Sequence, residues 1–415
     1  MVMRQETAVQ RTEVIVVGGG MVGTTLTALL GEAGVSVVRI DAREAPIETE
    51  TAGRGSPALR VSALTPVSQR LLSHLGVWPR MAGRRVTPYH RMLVWDGEGS
   101  GRIRFSADEA GVECLGHIVE NDVTLAALEA CVADMPNVHS CFGHRVTALE
   151  TSGERQYVTL DDDRCLSAPL VVAADGAGSP LREMAGIDNK VHETGHHALV
   201  TSVRTERPHG GMARQVFLAG GPLAFLPLTV DDVPSYCSIV WSTTPDEAAH
   251  LQSLSPSALG DALARDSDAC LGQVQVIDRV VSFPLAQRHA RQYVKPGFAL
   301  VGDAAHSLHP LAGQGVNLGL MDAAVLAEEL LDARRRGAAL SDPRILSRYE
   351  RRRRPDNTAM LALMDGFRLL FGTRQPTLRL ARNLGLSSVD RFTSLKRLLM
   401  HQATGERGRL PRTCR

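Results

Sequence analysis

In the run Phe298–Leu330, FALVGDAAHSLHPLAGQGVNLGLMDAAVLAEEL, a carboxylate, two imidazoles, a proline and three glycines fall within fourteen residues. The apolar opening, Phe298 to Val301, suits a buried strand that gives way at Gly302-Asp303 to a loop. From Val316 onward the apolar positions Val316, Leu320, Ala323, Ala324 and Ala327 recur at helical spacing. A strand therefore feeds a carboxylate, then a glycine-rich bend, then a helix start. Unpaired N–H groups at a helix start, added to the helix dipole, stabilise negative charge that sits at that end. Pro310 would set the entry, and Gly313 and Gly315 leave the backbone bare enough for a flat ring to approach. Asp303, at the strand end, is positioned to accept hydrogen bonds from the hydroxyls of a sugar-like chain. A lone Gly-Asp pair would equally suit a turn with a capping Asp before an ordinary core helix.

Two further stretches have the same logic. Glu13 to Val17 is an apolar strand that runs into Gly18-Gly19-Gly20-Met21-Val22-Gly23 and the helical TTLTALLGEAG. A second strand, Val35 to Ile40, closes with Asp41. This is the strand–glycine–helix–strand fingerprint of dinucleotide binding: Gly18 makes the turn, Gly20 admits the pyrophosphate, Gly23 lets helix and strand close up, and Asp41 binds the adenosine ribose. An acid there calls for a free ribose hydroxyl, as in FAD and NAD. The third stretch, LVVAADGAGSPLR from Leu170 to Arg182, is another buried strand ending in an Asp-Gly turn. Asp175 would fix that turn while Arg182 meets a phosphate. There is no second fingerprint for a resident nicotinamide cofactor, so a hydride donor would be a transient visitor.

GDAAHSLHPLAGQGVNLGLMDA resembles the second flavin-binding motif of the single-component, p-hydroxybenzoate-hydroxylase-like aromatic-ring hydroxylases, and most closely that of the ubiquinone-biosynthesis hydroxylase family. VVAADGAGSPLR is similar to that family's middle motif. The three motifs follow the family's order across residues 14–322, and Asn383-Leu384-Gly385-Leu386 with Leu395-Lys396-Arg397 resemble its terminal segment. The resemblance implies an α/β fold with a Rossmann-like FAD-binding domain in residues 1–88, 109–190 and 285–345. An antiparallel β-sheet substrate domain, residues 89–108 and 191–284, is inserted into it, and C-terminal basic helices follow in 346–415. It also implies that Gly302, Gln314, Val316 and Asn317 join the residues above in holding FAD, that Arg60 lies beside its phosphates and that Glu120 approaches it.

The activity so implied is insertion of one oxygen atom from dioxygen into the ring of a polyprenylated phenol or quinol in ubiquinone biosynthesis. The oxidant would be a flavin C4a-hydroperoxide, with NADPH or NADH as co-substrate, and the helix start would hold the charge on the ring's pyrimidine side. His309 is the nearest candidate for a proton-handling group, though it also reads as a structural loop residue. Two alternatives stay open: a flavin hydroxylase of a soluble aromatic or secondary metabolite, and a non-catalytic FAD-holding scaffold in a biosynthetic assembly.

The remaining chain must position these groups. Its 415 residues, 44% hydrophobic and 22% charged, allow two or three soluble domains or one elaborate one, with ample core. No apolar run approaches the roughly 20 residues of a membrane span, and the first ten lack the order of a secretory signal. A cytoplasmic protein, peripheral to the inner membrane, is the expectation. Seven scattered cysteines, never spaced CxxC, suggest neither a disulfide framework nor a zinc site. The stretch after Arg60 reads as a turn and helix, His90–Val94 and Arg102–Phe105 as a strand pair, and Asn121–Ala133 as a helix. Residues 196–284 read as strands with one helical interlude near Pro256 to Leu271. Within them Phe225, Pro227, Trp241, Phe283 and Pro284 would either wall a pocket for an apolar ring or form plain sheet core.

Residues 331–415 hold 20 Lys and Arg against 7 Asp and Glu, which leaves the rest of the chain acidic. The run Tyr349–Pro355, YERRRRP, reads as a solvated face, or as a contact for anionic lipid or for an acidic protein such as another ubiquinone-biosynthesis component. Nucleic acid is disfavoured because no aromatic pattern accompanies it. A homo-oligomer is left open.

Overall fold

The computed structural model describes residues 9–307, 315–372, 400 and 404–415, with the backbone alone for 367–372. At its centre a six-stranded sheet has the order Val294–Lys295, Phe298–Leu300, Leu170–Ala173, Val14–Val17, Val37–Asp41, Val138–Phe142. All neighbours are parallel except the first pair. The strands VIVV and LVVA are buried at every position, as a parallel sheet covered on both faces demands. Helix Met21–Glu32 packs against both Asn121–Ala133 and Gly315–Arg335.

A second, larger sheet is built from Asn189–Thr205, Met212–Leu218, Gly221–Val230, Val233–Thr243 and Val281–Ala290. It is antiparallel until Met212–Leu218 pairs in parallel with Arg91–Asp96, which in turn pairs with Arg102–Ser106. Alternation along each strand gives this sheet two distinct faces. One carries Leu199, Leu223, Phe225, Ile239 and Trp241, packed with Leu251, Leu259 and Leu263 of two helices. The other carries Ala224, Leu226 and Leu228, packed with Ala63 and Ile118.

The structure departs from the sequence reading at three places. Val61–Leu64 is a strand paired with Gly116–Glu120, so the helix after Arg60 starts only at Pro66, capped by Thr65. The helical interlude is two helices, Pro245–Ser253 and Pro256–Asp266, because Thr244-Pro245 and Ser255-Pro256 each set a capped start. The arginine run lies inside one long helix, Pro343–Gly372, and is not uniformly solvated. Arg353 is buried against Asp322 at 2.7 Å, and Arg352 bridges Glu328 and Glu329 at 2.7 and 2.8 Å. The terminal segments Asn383–Leu386 and Leu395–Arg397 lie outside the described residues. No helix among the described residues is long and apolar enough to cross a membrane.

Helices Met21–Glu32 and Gly315–Arg335 cross at a point that admits no side chain: a Cβ on Gly319 would lie 2.6 Å from Val22 Cγ2 and 3.1 Å from Gly302 Cα. Gly319→Val is therefore expected to lower the stability of the FAD-free protein by roughly 1–3 kcal/mol through overpacking. Gly178→Ala, with no atom within 4 Å of the new Cβ, should leave it unchanged in the same denaturant titration. Equal stabilities for the two variants would show that the crossing is not tight.

Candidate functional site: three turns facing one cleft

Strands Val14–Val17, Leu170–Ala173 and Phe298–Leu300 are neighbours in register, so their C-terminal turns stand side by side. Ala174 N–H donates to Val17 O at 2.7 Å, and Val301 N–H donates to Ala173 O at 3.0 Å, carrying the ladder to the edge of the turns. Gly18 has φ +106°, and a Cβ there would lie 2.2 Å from Ala174 O. A Cβ on Gly23 would lie 1.9 Å from Gly18 O. Gly18 therefore needs glycine for its conformation as well as for the contact, and Gly23 for the contact alone. At Gly20 and Gly315, by contrast, a Cβ would meet nothing within 4 Å, so bare backbone faces open space.

Polar groups with unused capacity surround that space. Asp303 is exposed to the cleft although protein encloses it at longer range. Desolvation accordingly raises its carboxyl above the usual range, while His306 and Arg60 pull it back. Arg60 is exposed and its guanidinium has no hydrogen-bond partner among the described residues. Asp175 accepts from Leu181 N–H at 3.2 Å through Oδ2, but its Oδ1 is buried with no partner among the described residues, and desolvation raises this carboxyl too. A bare loop, an orphaned acceptor, a free guanidinium and a cleft-facing carboxylate fit the phosphates and hydroxyls of a dinucleotide.

The other residues singled out from the sequence divide by what already occupies them. Asp41 Oδ2 accepts from Arg43 Nε at 2.9 Å, and Arg43 NH2 continues to Gly19 O and Glu129 Oε1, both at 2.8 Å. Glu120 is buried behind the loop that carries Arg60, accepting from Ala58 N–H at 2.6 Å and Arg85 at 2.7 Å. Arg182 is 3% exposed and donates to Ala177 O and Ala304 O at 3.2 and 3.0 Å, tying the middle turn to the turn after Asp303. The Asn317 side chain holds Thr65 N–H, Ser68 Oγ and Ala63 O, which fixes the helix start against the strand Val61–Leu64. Gly302 and Val316 stand at the turn and in the first turn of the helix. His309, Pro310, Gly313 and Gln314 lie outside the described residues.

Of the two readings open for the aromatic residues of the sheet, Phe225 and Trp241 take the sheet core and do not wall a pocket. Phe225 and Trp241 are 1% and 3% exposed in the core beneath the two capped helices, with Pro227 buried on the same face. Pro284, exposed, shares that face through its pairing with His197. The face turned to the flavin-type motif instead presents Val94 and Phe217, packed with Leu318 of the motif helix, and the row Ala224, Leu226 and Val240. Period-two alternation marks two faces in the sequence but does not say which one the cofactor half covers. Phe283, 39% exposed, alternates onto the motif-facing side.

Sequence reasoning missed Asp322, the centre of a buried network. Its Oδ2 accepts from Gly302 N–H at 3.0 Å and shares a 2.5 Å hydrogen bond with His306 Nε2. Its Oδ1 accepts from Arg353 Nε at 2.7 Å and Asn357 Nδ2 at 3.2 Å. The side chain is fully buried. Despite the desolvation, His306 and Arg353 pull the carboxyl down to about 2. The available signal was a lone carboxylate on the buried stripe of the motif helix, between Leu318 and Leu326, followed by an arginine run.

The carboxyl of Asp322 titrates near 3.9 when unfolded and at about 2 when folded. Its stabilisation is therefore complete above about pH 4 and lost as pH falls toward 2. Asp322→Asn leaves the buried Arg353 with only the half-exposed Asp356 as counter-charge, and is expected to cost roughly 3–5 kcal/mol at neutral pH. It should also flatten the acid limb of the stability curve, measured by denaturant titration; an unchanged limb would assign the acid transition to other carboxylates. Arg60→Ala and Asp303→Ala should keep the FAD-free melting temperature and lose at least tenfold in FAD affinity by fluorescence titration.

Residues 11–363 match the family model described as FAD binding domain. The chain is 38% identical over 397 residues to 3-demethoxyubiquinol 3-hydroxylase of Escherichia coli strain K12, covering 95% of this chain and 99% of that protein. Ubiquinone hydroxylase UbiL of Rhodospirillum rubrum is 39% identical over 393 residues, 95% of this chain and 89% of that one. Among solved structures, p-nitrophenol 4-monooxygenase PnpA from Pseudomonas putida DLL-E4 superposes with a TM-score of 0.77 at 20% identity, covering 96% of this chain and all of that one, a likeness of fold. With both the fold and the sequence matched along nearly its whole length, the chain belongs to the ubiquinone-biosynthesis hydroxylase family of FAD-dependent aromatic-ring monooxygenases.

Proposed function

We propose that this protein hydroxylates the aromatic ring of a polyprenylated phenol or quinol on the route to ubiquinone, with dioxygen and NADPH or NADH. The reading is carried by one observation: three strand-end turns stand side by side with spare polar groups that suit FAD, while an apolar sheet face turns toward the motif helix. The names of the two bacterial relatives supply the ring chemistry.

When bound, FAD supplies hydride acceptance and the activation of dioxygen. The chain supplies the setting. Arg60 would meet phosphate charge, Asp303 and the spare oxygen of Asp175 would take hydroxyl or amide protons, and the start of Gly315–Arg335 would face the negative side of the ring. Val94, Phe217, Ala224, Leu226 and Val240 would exclude water and orient an apolar substrate. His306 is buried with its Nε2 on Asp322, the carboxylate that holds the Gly302 turn. A substrate with a long prenyl tail has no home in water, so the enzyme would approach the membrane from its surface.

The test is incubation of the yellow holoprotein with a short-chain prenylphenol, NADPH or NADH, and oxygen. Mass spectrometry should find a product heavier by one oxygen atom, and cells lacking the protein should accumulate the precursor without it. Turnover confined to small benzoates would move the assignment to a soluble aromatic. A FAD-loaded chain inert toward every ring would leave only the scaffold reading.

A further inference from the structure

The arginine run resolves into two opposite uses. Arg352 and Arg353 turn inward, to Glu328, Glu329 and Asp322, and lock helix Pro343–Gly372 onto the flavin-motif helix. Arg351 and Arg354 point out, and they continue a row begun by Arg344 and Arg348, about two turns and one turn before Arg351. At 100° per residue, Arg344, Arg348 and Arg351 fall within a wedge of about 60°, with Arg354 about 60° beyond its edge and a stripe length of roughly 15 Å. All four are exposed, and none of their guanidiniums has an ion pair or hydrogen bond among the described residues.

The acids nearest this stripe on its own helix are already engaged, and Asp365 stands roughly 16 Å beyond Arg354 along the axis. Glu350 is spent on Tyr293 N–H at 2.7 Å and Asp356 on Arg353 at 2.9 Å. Where the face continues it shows Pro355, Thr358, Ala359 and Ala362, all exposed and none large. Burial holds the imidazole of His289, on the neighbouring sheet, down to about 4, helped by His306, by Arg354 of the stripe and by Lys190, which brings further positive charge beside it.

We propose that this stripe is a docking surface for an anionic phospholipid bilayer. The geometry favours lipid over protein. A specific protein interface needs a desolvated aromatic or aliphatic centre, which this face lacks among the described residues, whereas a plane of headgroup phosphates asks only for correctly spaced cations. Guanidiniums meet phosphate oxygens in paired hydrogen bonds. Because Arg353–Asp322–Gly302 joins the helix to the cofactor turn, docking there would hold the active cleft in a fixed attitude to the membrane that stores the substrate. The inference deepens the proposed function, since it names where a lipid-borne substrate is approached, but its test reads binding and not turnover.

Full-length FAD-loaded protein is sedimented with vesicles of phosphatidylcholine alone, or with about one third phosphatidylglycerol, at low and high salt. Binding should require the anionic lipid and fall with salt. The triple variant Arg344→Gln, Arg348→Gln, Arg351→Gln should lose about fivefold per charge, roughly 100-fold together, and the corresponding Lys triple should keep most of it. Flavin content and turnover of a water-soluble short-chain ring should be the same in all three proteins. Wild-type partition retained by the Gln triple, or partition indifferent to lipid charge, overturns the proposal. Binding of poly-glutamate through the stripe with no vesicle binding would assign it to an acidic protein and equally overturn it. Absent turnover in a wild type that still docks would remove the hydroxylase reading while leaving this surface in place.

Discussion

The structure depends on a close approach that only glycine permits. Gly18 bends with φ +106° beneath the carbonyl of Ala174, Gly23 closes on Gly18, and Gly319 brings the motif helix against Val22 and Gly302. Together these contacts hold the three turns that end the central parallel strands against one another. Side chains at these points would push the turns apart by about an ångström or more, and a site assembled from separate segments tolerates little such displacement. The cleft is accordingly built from backbone before any side chain contributes to it.

Charge is then used in two ways. Where it stabilises the framework it is buried and paired: Arg39 reaches Glu129 at 2.5 Å, Arg85 reaches Glu120, and Asp322 gathers His306, Arg353 and Asn357. Such networks are costly unless every member is satisfied, and they fix one arrangement of the elements they join. Where charge faces the cleft it is left unspent, as at Arg60, Asp303 and the second oxygen of Asp175. Charges in ion pairs behind the turns, and unspent charges at the turns themselves, are the arrangement expected of a site that completes itself with a polyanionic cofactor.

Much of this was legible in the residues. The strands around Val14–Val17, Leu170–Ala173 and Phe298–Leu300 declared themselves as apolar runs ending in Gly or Asp-Gly, and the helix Asn121–Ala133 has the bounds its periodicity gives. What was not legible depended on tertiary pairing. Val61–Leu64 is only four residues long and becomes a strand by pairing with Gly116–Glu120, which no local pattern announces. Phe225 and Trp241 were recognisable as sheet residues, but the face they occupy is set by which side meets the cofactor half. The arginine run gave its charge and not its division, because Glu328, Glu329 and Asp322, the carboxylates that turn Arg352 and Arg353 inward, come from the preceding helix. Asp41 was legible as the acid that closes the second strand while its clamp by Arg43 was not, since Glu129, which shares that arginine, comes from another helix.

The central claim is that the three turns together hold one FAD, with separate places for its adenylate and its isoalloxazine halves. Titration of the FAD-free protein with FAD and, separately, with FMN, followed by quenching of flavin fluorescence, tests it most directly. Saturation at one FAD per chain, with FMN bound far more weakly for want of the groups that meet Gly20 and Asp41, is the result this account predicts. Equal affinity for FMN, or no saturable FAD binding, would contradict it.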